Sequence, residues 1–297
     1  MNKYVKIGTR RVGGGAPALI VAEVGSNHDG KLEQAKHLMA VAAAAGVDAV
    51  KFQAFQADVL YPNHDGPHAI MKANELPHAW LPDLAAHARE LGVIFLASPF
   101  DTRSVDALVK VGVPAIKLAS SEVTNLPLVG HAAATGLPLI IATGMCDLPD
   151  IKAAIDAAAA TGNREIILLQ CAALYPAPAD QINLCAMDTM RAAFELPVGF
   201  SDHTPGHLIA AAAVARGACL VEKHFTLSRD LDGPDHGYAL EPAEVAALVS
   251  AIREVEASLG SSFKDILAAE RPVARRESVT ARLAIPAGTK VTDEMLT

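Results

Sequence analysis

The chain has no C-x-x-C pair among its four cysteines, no apolar run approaching the ~18 residues of a membrane span, and no surplus of basic charge. Each absence excludes something. Cys146, Cys171, Cys185 and Cys219 stand apart among apolar or helical residues and read as buried thiols of a reducing compartment. A formal net charge of -8 and a pI near 5.7 argue against a nucleic-acid or anionic-membrane surface, which needs clustered Lys and Arg. A small anionic substrate stays open, because a few buried lysines hold one locally. The segment Met1 to Arg11 is charged and no apolar stretch of signal-peptide length follows it, so a cytoplasmic protein is expected.

What is present is an alanine-rich chain of 297 residues, 51% hydrophobic, enough for one large domain or a barrel with a small appendage. Short β-rich runs alternate with amphipathic segments every 25 to 30 residues, roughly, which is βα repetition. The strands predicted are Ala18 to Glu23, Ala49 to Gln53, Val93 to Ser98, Ala115 to Ala119, Leu139 to Thr143, Ile166 to Gln170, Val198 to Ser201 and Leu220 to His224. Helical stretches separate them, and several end at a glycine suited to a left-handed C′ position: Gly46, Gly92, Gly112, Gly136 and Gly217. Eight such units fit an α/β (β/α)8 TIM barrel better than an open doubly wound sheet. Gly13-Gly14-Gly15 precedes the first of these strands and lacks the Lys-Ser/Thr of a phosphate loop, so it reads as a turn, in a small hairpin at the barrel bottom.

Two long connections, Ala54 to Trp80 and Thr226 to Glu241, follow strand C-termini and are expected to cover the mouth. The domain expectation is a barrel over residues 1–260, a charged linker over 261–278 and the incomplete beginning of a second pattern over 279–297.

Every strand end supplies polar groups: Glu23; Lys51 and Gln53; Ser98; Lys117, Ser120 and Glu122; Thr143; Gln170 or Tyr175; Ser201 and His203; His224. Lysines in apolar strands are rare because an unpaired buried ammonium is costly, so Lys51 and Lys117 point to a buried anion or to buried carboxylate partners, the anion being favoured. The hydroxyls of Ser98, Ser120, Thr143 and Ser201 suit phosphate or carboxylate oxygens, and Gln53 a carbonyl or hydroxyl. His203 and His224 end consecutive strands and can share a borderline divalent metal with open positions, a Lewis acid beside which Glu23 handles a proton. His28, His37, His78, His87 and His131 read as core imidazoles, and His207 as a poor second to His203.

Read together, Ala22-Glu23-Val24-Gly25-Ser26-Asn27-His28-Asp29-Gly30, Val50-Lys51-Phe52-Gln53, Ser98-Pro99-Phe100-Asp101, Lys117-Leu118-Ala119-Ser120, Ala142-Thr143-Gly144-Met145, Tyr175-Pro176-Ala177-Pro178, Phe200-Ser201-Asp202-His203-Thr204, Glu222-Lys223-His224-Phe225-Thr226 and Gly233-Pro234-Asp235-His236 resemble the sialic acid (N-acetylneuraminate) synthases and their legionaminic, pseudaminic and spore-coat relatives. The resemblance implies a metal-dependent condensation of phosphoenolpyruvate with N-acetylmannosamine or a similar acylamino sugar, giving a nonulosonic acid and phosphate. It implies that His203 and His224 hold the metal, usually Mn2+, and that Lys51, Ser98, Lys117, Ser120 and Ser201 hold phosphoenolpyruvate. It places Gln53, Tyr175 and Asp235 at the sugar, and Glu23 and Glu122 near the reacting centre. It implies that the segment after Val279 begins an antifreeze-like domain, and that the protein is a homodimer. Three alternatives stay open: a diacetamido-trideoxy or phosphorylated acceptor, a Schiff-base aldolase using Lys51 or Lys117, and an anion-binding barrel without turnover.

Overall fold

A computed structural model describes every residue except Met1, Asn2 and Asp65. A hairpin of β1 (Tyr4–Ile7) and β2 (Arg10–Gly13) precedes eight parallel strands: β3 (Leu19–Gly25), β4 (Ala49–Ala54), β5 (Ile94–Pro99), β6 (Ile116–Leu118), β7 (Leu139–Ala142), β8 (Ile166–Cys171), β9 (Val198–Asp202) and β10 (Leu220–His224). They bond in the order β5-β4-β3-β10-β9-β8-β7-β6, and β5 and β6, the two ends of that order, lie side by side. This is the (β/α)8 barrel that the strand count requires. The hairpin turns at Gly8 and Thr9, so the triplet Gly13-Gly14-Gly15 is instead the bend leading from β2 to β3.

The surrounding helices are α1 (Leu32–Ala44), α2 (Ala57–Leu60), α3 (His68–Ala73), α4 (Leu81–Leu91), α5 (Thr102–Val111), α6 (Leu126–Ala134), α7 (Leu148–Ala160), α8 (Ala186–Phe194), α9 (Leu208–Ala215) and α10 (Pro242–Leu259). Their starts are chemical: Asp101 accepts from Ser104 N at α5, Asn125 from Leu128 N at α6, and Asp147 and Asp150 form a reciprocal box at α7. Their stops at Gly46, Gly92, Gly112, Gly136 and Gly217 carry φ between 73° and 89°. The long connection after β4 is not irregular throughout, since it folds the short helices α2 and α3.

Strand alternation divides the core into two layers. Leu19, Val21, Ala49, Leu96, Ile140, Ala142, Ile167, Leu169 and Leu220 fill the interior, with Val5, Ile7 and Val12 of the hairpin packed beneath them. The intervening strand residues meet the helices in a larger cluster. The chain divides into two compact units, Met1–Leu259 and Gly260–Thr297. In the second, Thr280 and Thr297 exchange two backbone hydrogen bonds of 2.8 Å, Ala281 pairs antiparallel with Leu296, and no residue is buried. Cysteine burial is uneven: Cys171 and Cys219 are buried as expected, but Cys146 is half-buried and Cys185, just before α8, is exposed. Of the five histidines read as core, only His28 is buried; His37 is exposed and His78, His87 and His131 lie part-way, on helix faces rather than beneath them.

Candidate active site

At its C-terminal end the barrel interior changes from apolar to charged. Registry brings the polar residues level: Glu23 of β3 stands beside His224 of β10 and Lys51 of β4, Gln53 beside Ser98 of β5, and Ser201 of β9 between Cys171 of β8 and Glu222 of β10. Lys51 Nζ lies 2.7 Å from Glu23 Oε2 and 3.6 Å from Glu222 Oε1, and donates to Ser98 Oγ at 3.0 Å. Lys117 Nζ reaches Glu222 Oε1 at 3.2 Å, and Ser201 Oγ donates to the same oxygen at 3.4 Å. Gln53 Nε2 donates to Glu23 Oε1 at 3.1 Å. The buried lysines therefore have the carboxylate partners that the sequence reading ranked second, and the cup holds two ammonium groups against two carboxylates.

The four charges are not equally settled. Burial pushes the Glu222 carboxyl up, but Lys117 and Lys51 outweigh it and hold it at about 2. Glu23 ends above the ordinary value, since burial and the neighbouring Glu222 exceed what Lys51 restores. Lys117 is lowered by burial, whereas in Lys51 Glu222 and Glu23 overcome burial and raise it. Glu23 Oε2 is buried and, despite the nearby ammonium, makes no directed hydrogen bond.

His203 and His224 meet above this layer with ring centroids 5.5 Å apart. Burial lowers both to about 4, so at neutral pH each ring is uncharged and has a lone pair to give. His203 Nδ1 is 2.8 Å from the Ala172 carbonyl, which fixes its proton there and leaves Nε2 free as a ligand atom. His224 makes no side-chain hydrogen bond among the described residues, and its Nδ1 is buried without a partner. Two neutral imidazoles, one of them orphaned, suit a divalent ion with open positions. The one group of three whose ligand atoms converge within 4.8 Å among the described residues is elsewhere: Asp58, His64 and His68 on the connection after β4. There the Lys72 ammonium already holds Asp58 Oδ2 at 2.8 Å, in a largely exposed setting.

The connection after β10 closes over the histidines. Asp235 Oδ2 accepts from Ser26 Oγ at 2.8 Å and Ser26 N at 3.2 Å, and Oδ1 accepts from the Tyr238 hydroxyl at 2.6 Å. Burial pushes the Asp235 carboxyl up, yet His224 and these donors hold it below the ordinary range. Gly25 makes the closure possible: its φ is +58° and a Cβ there would lie 2.6 Å from Asp235 Oδ2. Tyr175 and Tyr238 face each other at 5.2 Å, with Tyr175 4.1 Å from His203 and Tyr238 5.1 Å from His224. An aromatic wall thus rises beside the imidazole pair.

Of the residues singled out in the sequence, Glu23, Lys51, Gln53, Ser98, Lys117, Ser201, His203, His224, Tyr175 and Asp235 come together here. Ser120 stands at the edge, its Oγ accepting from Gly144 N at 2.9 Å. Thr143 does not join them: β7 ends at Ala142, which faces inward, so Thr143 faces out and donates to the Leu169 carbonyl at 2.8 Å. Gln170 is outward likewise, donating to the Ile182 carbonyl at 2.9 Å. Glu122 is engaged in its own turn by Ser121 Oγ and Asn125 Nδ2 at 3.1 and 3.0 Å. Three participants were missed: Glu222, Cys171 and Tyr238. Glu222 had a signal, since it lies two residues before His224 and shares its face. Cys171 has the same parity as the interior Leu169. Tyr238 lies in a loop that no periodicity describes.

The model of the NeuB family matches residues 38–264. An uncharacterized protein of Methanocaldococcus jannaschii is 41% identical over 281 residues, covering 94% of this chain and 83% of that protein. The N,N'-diacetyllegionaminic acid synthase of Legionella pneumophila is 40% identical over 309 residues, covering 97% of this chain and 87% of the synthase. Among solved structures, the N-acetylneuraminic acid (sialic acid) synthetase of Leptospira borgpetersenii, crystallised with citrate, superposes with a TM-score of 0.87 at 32% identity, covering 92% of this chain and 95% of that one.

Proposed function

The chain belongs to the NeuB family, and on that premise we propose that it condenses phosphoenolpyruvate with an open-chain acylamino sugar to give a nonulosonic acid and phosphate. The observation that carries the reading is the juxtaposition at the strand ends of two buried lysines with two neutral imidazoles. Lys51 and Lys117, with Ser98 and Ser201, receive the anionic phosphoenolpyruvate. Their carboxylate partners keep them paired until it arrives, which avoids leaving two bare ammonium groups in the core. A divalent cation on His203 and His224, of which Mn2+ is the proposed species, supplies Lewis acidity toward the sugar carbonyl.

The remaining steps belong to the chain. Gln53, fixed by Glu23, presents its carbonyl oxygen toward the acceptor. Tyr175 and Tyr238 offer flat apolar faces to the sugar and exclude water from one side of the cup. The enol-phosphate methylene attacks the aldehyde carbon, whose C=O π pair moves to oxygen and takes a proton. The cationic carbon that bears the phosphate then takes a water, which gives up a proton, and its C–O bond to phosphate breaks to leave the ketone. Glu23, raised above the ordinary carboxylate value, is the group to exchange the proton of that water.

A diacetamido-trideoxy acceptor is the leading acceptor in this proposal, supported by the similarity to the Legionella synthase and by the apolar tyrosine wall. Phosphate release from phosphoenolpyruvate, measured with each acylamino sugar and its phosphorylated form, with and without Mn2+, is the test. Release with no acylamino sugar in the panel would overturn the reading. The aldolase alternative rests on Lys117, which burial lowers, and borohydride trapping of a lysine adduct would favour it. In this reading the protein assembles as a homodimer, which light scattering checks.

A further inference from the structure

Behind the two histidines, on the face of the barrel wall turned toward the helices, lies a charged group that the chemistry above does not use. Lys223 Nζ is 2.7 Å from Asp202 Oδ2 and also donates to the Thr204 carbonyl. Asp202 Oδ1 accepts from both Thr204 N and Thr204 Oγ1 at 2.8 Å. The three residues are 4%, 1% and 2% exposed, respectively, so this is a buried ion pair whose ammonium has two directed acceptors. Registry sets Lys223 beside Asp202 across β10 and β9, one residue before His224 on one strand and one residue before His203 on the other.

A buried ion pair is weak support for stability, because desolvation offsets most of the attraction; its better attested use is to fix register. Register matters most here. His203 has the Ala172 carbonyl to orient its ring, but His224 has no side-chain hydrogen bond among the described residues and relies on where the tip of β10 stands. That tip is tied by backbone bonds from Leu240 N to the His224 carbonyl and from Phe225 N to the Glu23 carbonyl, and on its β9 side by Lys223.

We infer that Asp202, Lys223 and Thr204 form a positioning latch that sets the separation and aim of the His203 and His224 imidazoles, and so the affinity of the site for its divalent cation. The inference rests on the assignment of a cation to those histidines. The variant that separates positioning from folding is the double Asp202→Asn, Lys223→Met. The amide oxygen of Asn keeps the turn to Thr204, and the pair loses both charges together, so no bare charge is left in the core.

Mn2+ binding is measured by electron paramagnetic resonance on the metal-stripped full chain, alongside thermal unfolding. The double variant is expected to unfold near the wild-type temperature yet to bind Mn2+ about 10- to 100-fold more weakly, the usual loss when groups supporting a metal ligand are removed. Lys223→Arg, which keeps the charge but moves the anchor, is expected to show a smaller loss and serves if the double variant does not fold. Wild-type Mn2+ affinity in both folded variants, or in Lys223→Arg alone should the double variant not fold, would overturn the latch. His203→Ala separates the two layers of inference: if it binds Mn2+ as wild type does, the cation assignment itself fails and the latch with it.

Discussion

At the N-terminal end of the barrel, Asp48 accepts from Arg10 Nη1 at 2.5 Å, Arg253 Nη2 at 2.7 Å and Ile20 N at 2.8 Å. Glu256 takes Ala18 N at 2.5 Å and Arg253 Nη1 at 2.9 Å, and both arginines also donate to the Ala18 carbonyl. This network ties the hairpin, β3, β4 and α10 into one closed figure. At the opposite end the charged groups are more deeply buried and their bonding is less complete. All four buried side-chain atoms that make no directed hydrogen bond among the described residues, Glu23 Oε2, Asn27 Oδ1, His28 Nε2 and His224 Nδ1, lie at or just beyond the C-terminal ends of β3 and β10. One end of the barrel is finished by the chain itself, and the other has bonding capacity left over, which is where ligands belong.

The sharpest way to break that contrast is to damage each end and ask which property is lost. His203→Ala removes an imidazole from the unfinished end. Turnover and Mn2+ binding are both expected to vanish, measured by phosphate release and paramagnetic resonance, while the unfolding temperature moves by no more than about 4 °C. Asp48→Ala strikes the finished end, taking the carboxylate from two guanidinium groups, which keep the Ala18 carbonyl, and leaving Ile20 N without its acceptor. Denaturant unfolding is expected to show a loss of about 2–4 kcal/mol with turnover near wild type at low temperature. An Asp48 variant that lost activity in proportion to stability would show that the two ends are coupled.

How much of this was legible in the sequence follows from the range of the interactions. β10 was read with its observed bounds and β4 to within one residue, because alternation and the flanking glycines are local signals. The same rule shows why Thr143 went astray. One residue added to the end of β7 reverses the parity of the last side chain, and the hydroxyl assigned to the cup belongs to the outer face. The carboxylate partners of Lys51 and Lys117 were foreseen as a type but not as Glu222, since the pairing of β10 with β3 closes the barrel over some 200 residues of sequence, a distance no local pattern reports. The bond from Ser26 to Asp235 spans 209 residues for the same reason, and the tyrosine wall depends on it.

A third outcome sharpens the comparison through pH. Glu23 has its carboxyl raised, so its contribution to stability is fully present below the ordinary value of 4.5 and is lost as pH rises through the folded value. Glu222 runs the other way: held at about 2, its contribution is present above 4.5 and lost as pH falls toward 2. Glu23→Gln therefore removes a penalty at neutral pH. The variant is expected to be as stable as wild type or slightly more so at pH 7, with that advantage gone below pH 4.5, and to turn over poorly. Chemical denaturation across the pH range checks it. A variant less stable than wild type at pH 7 would mean that the ionised Glu23 is needed to hold Lys51.

The smallest effect concerns the tyrosine wall, where the finished and unfinished descriptions meet in one residue. The Tyr238 hydroxyl is spent on Asp235, whose other oxygen is anchored by Ser26, so the ring and not the hydroxyl faces the site. Tyr238→Phe keeps that face and removes one charge-assisted hydrogen bond of the loop, worth about 1.5–3 kcal/mol. If the ring does the recognising, KM for the acylamino sugar is expected to rise several-fold through loosening of the loop, with kcat and the affinity for phosphoenolpyruvate little changed. Tyr238→Ala, which also removes the face, is expected to raise KM further. Equal KM values for the two variants would assign the effect to the hydroxyl and its grip on Asp235, and would leave the ring with no part in selecting the sugar.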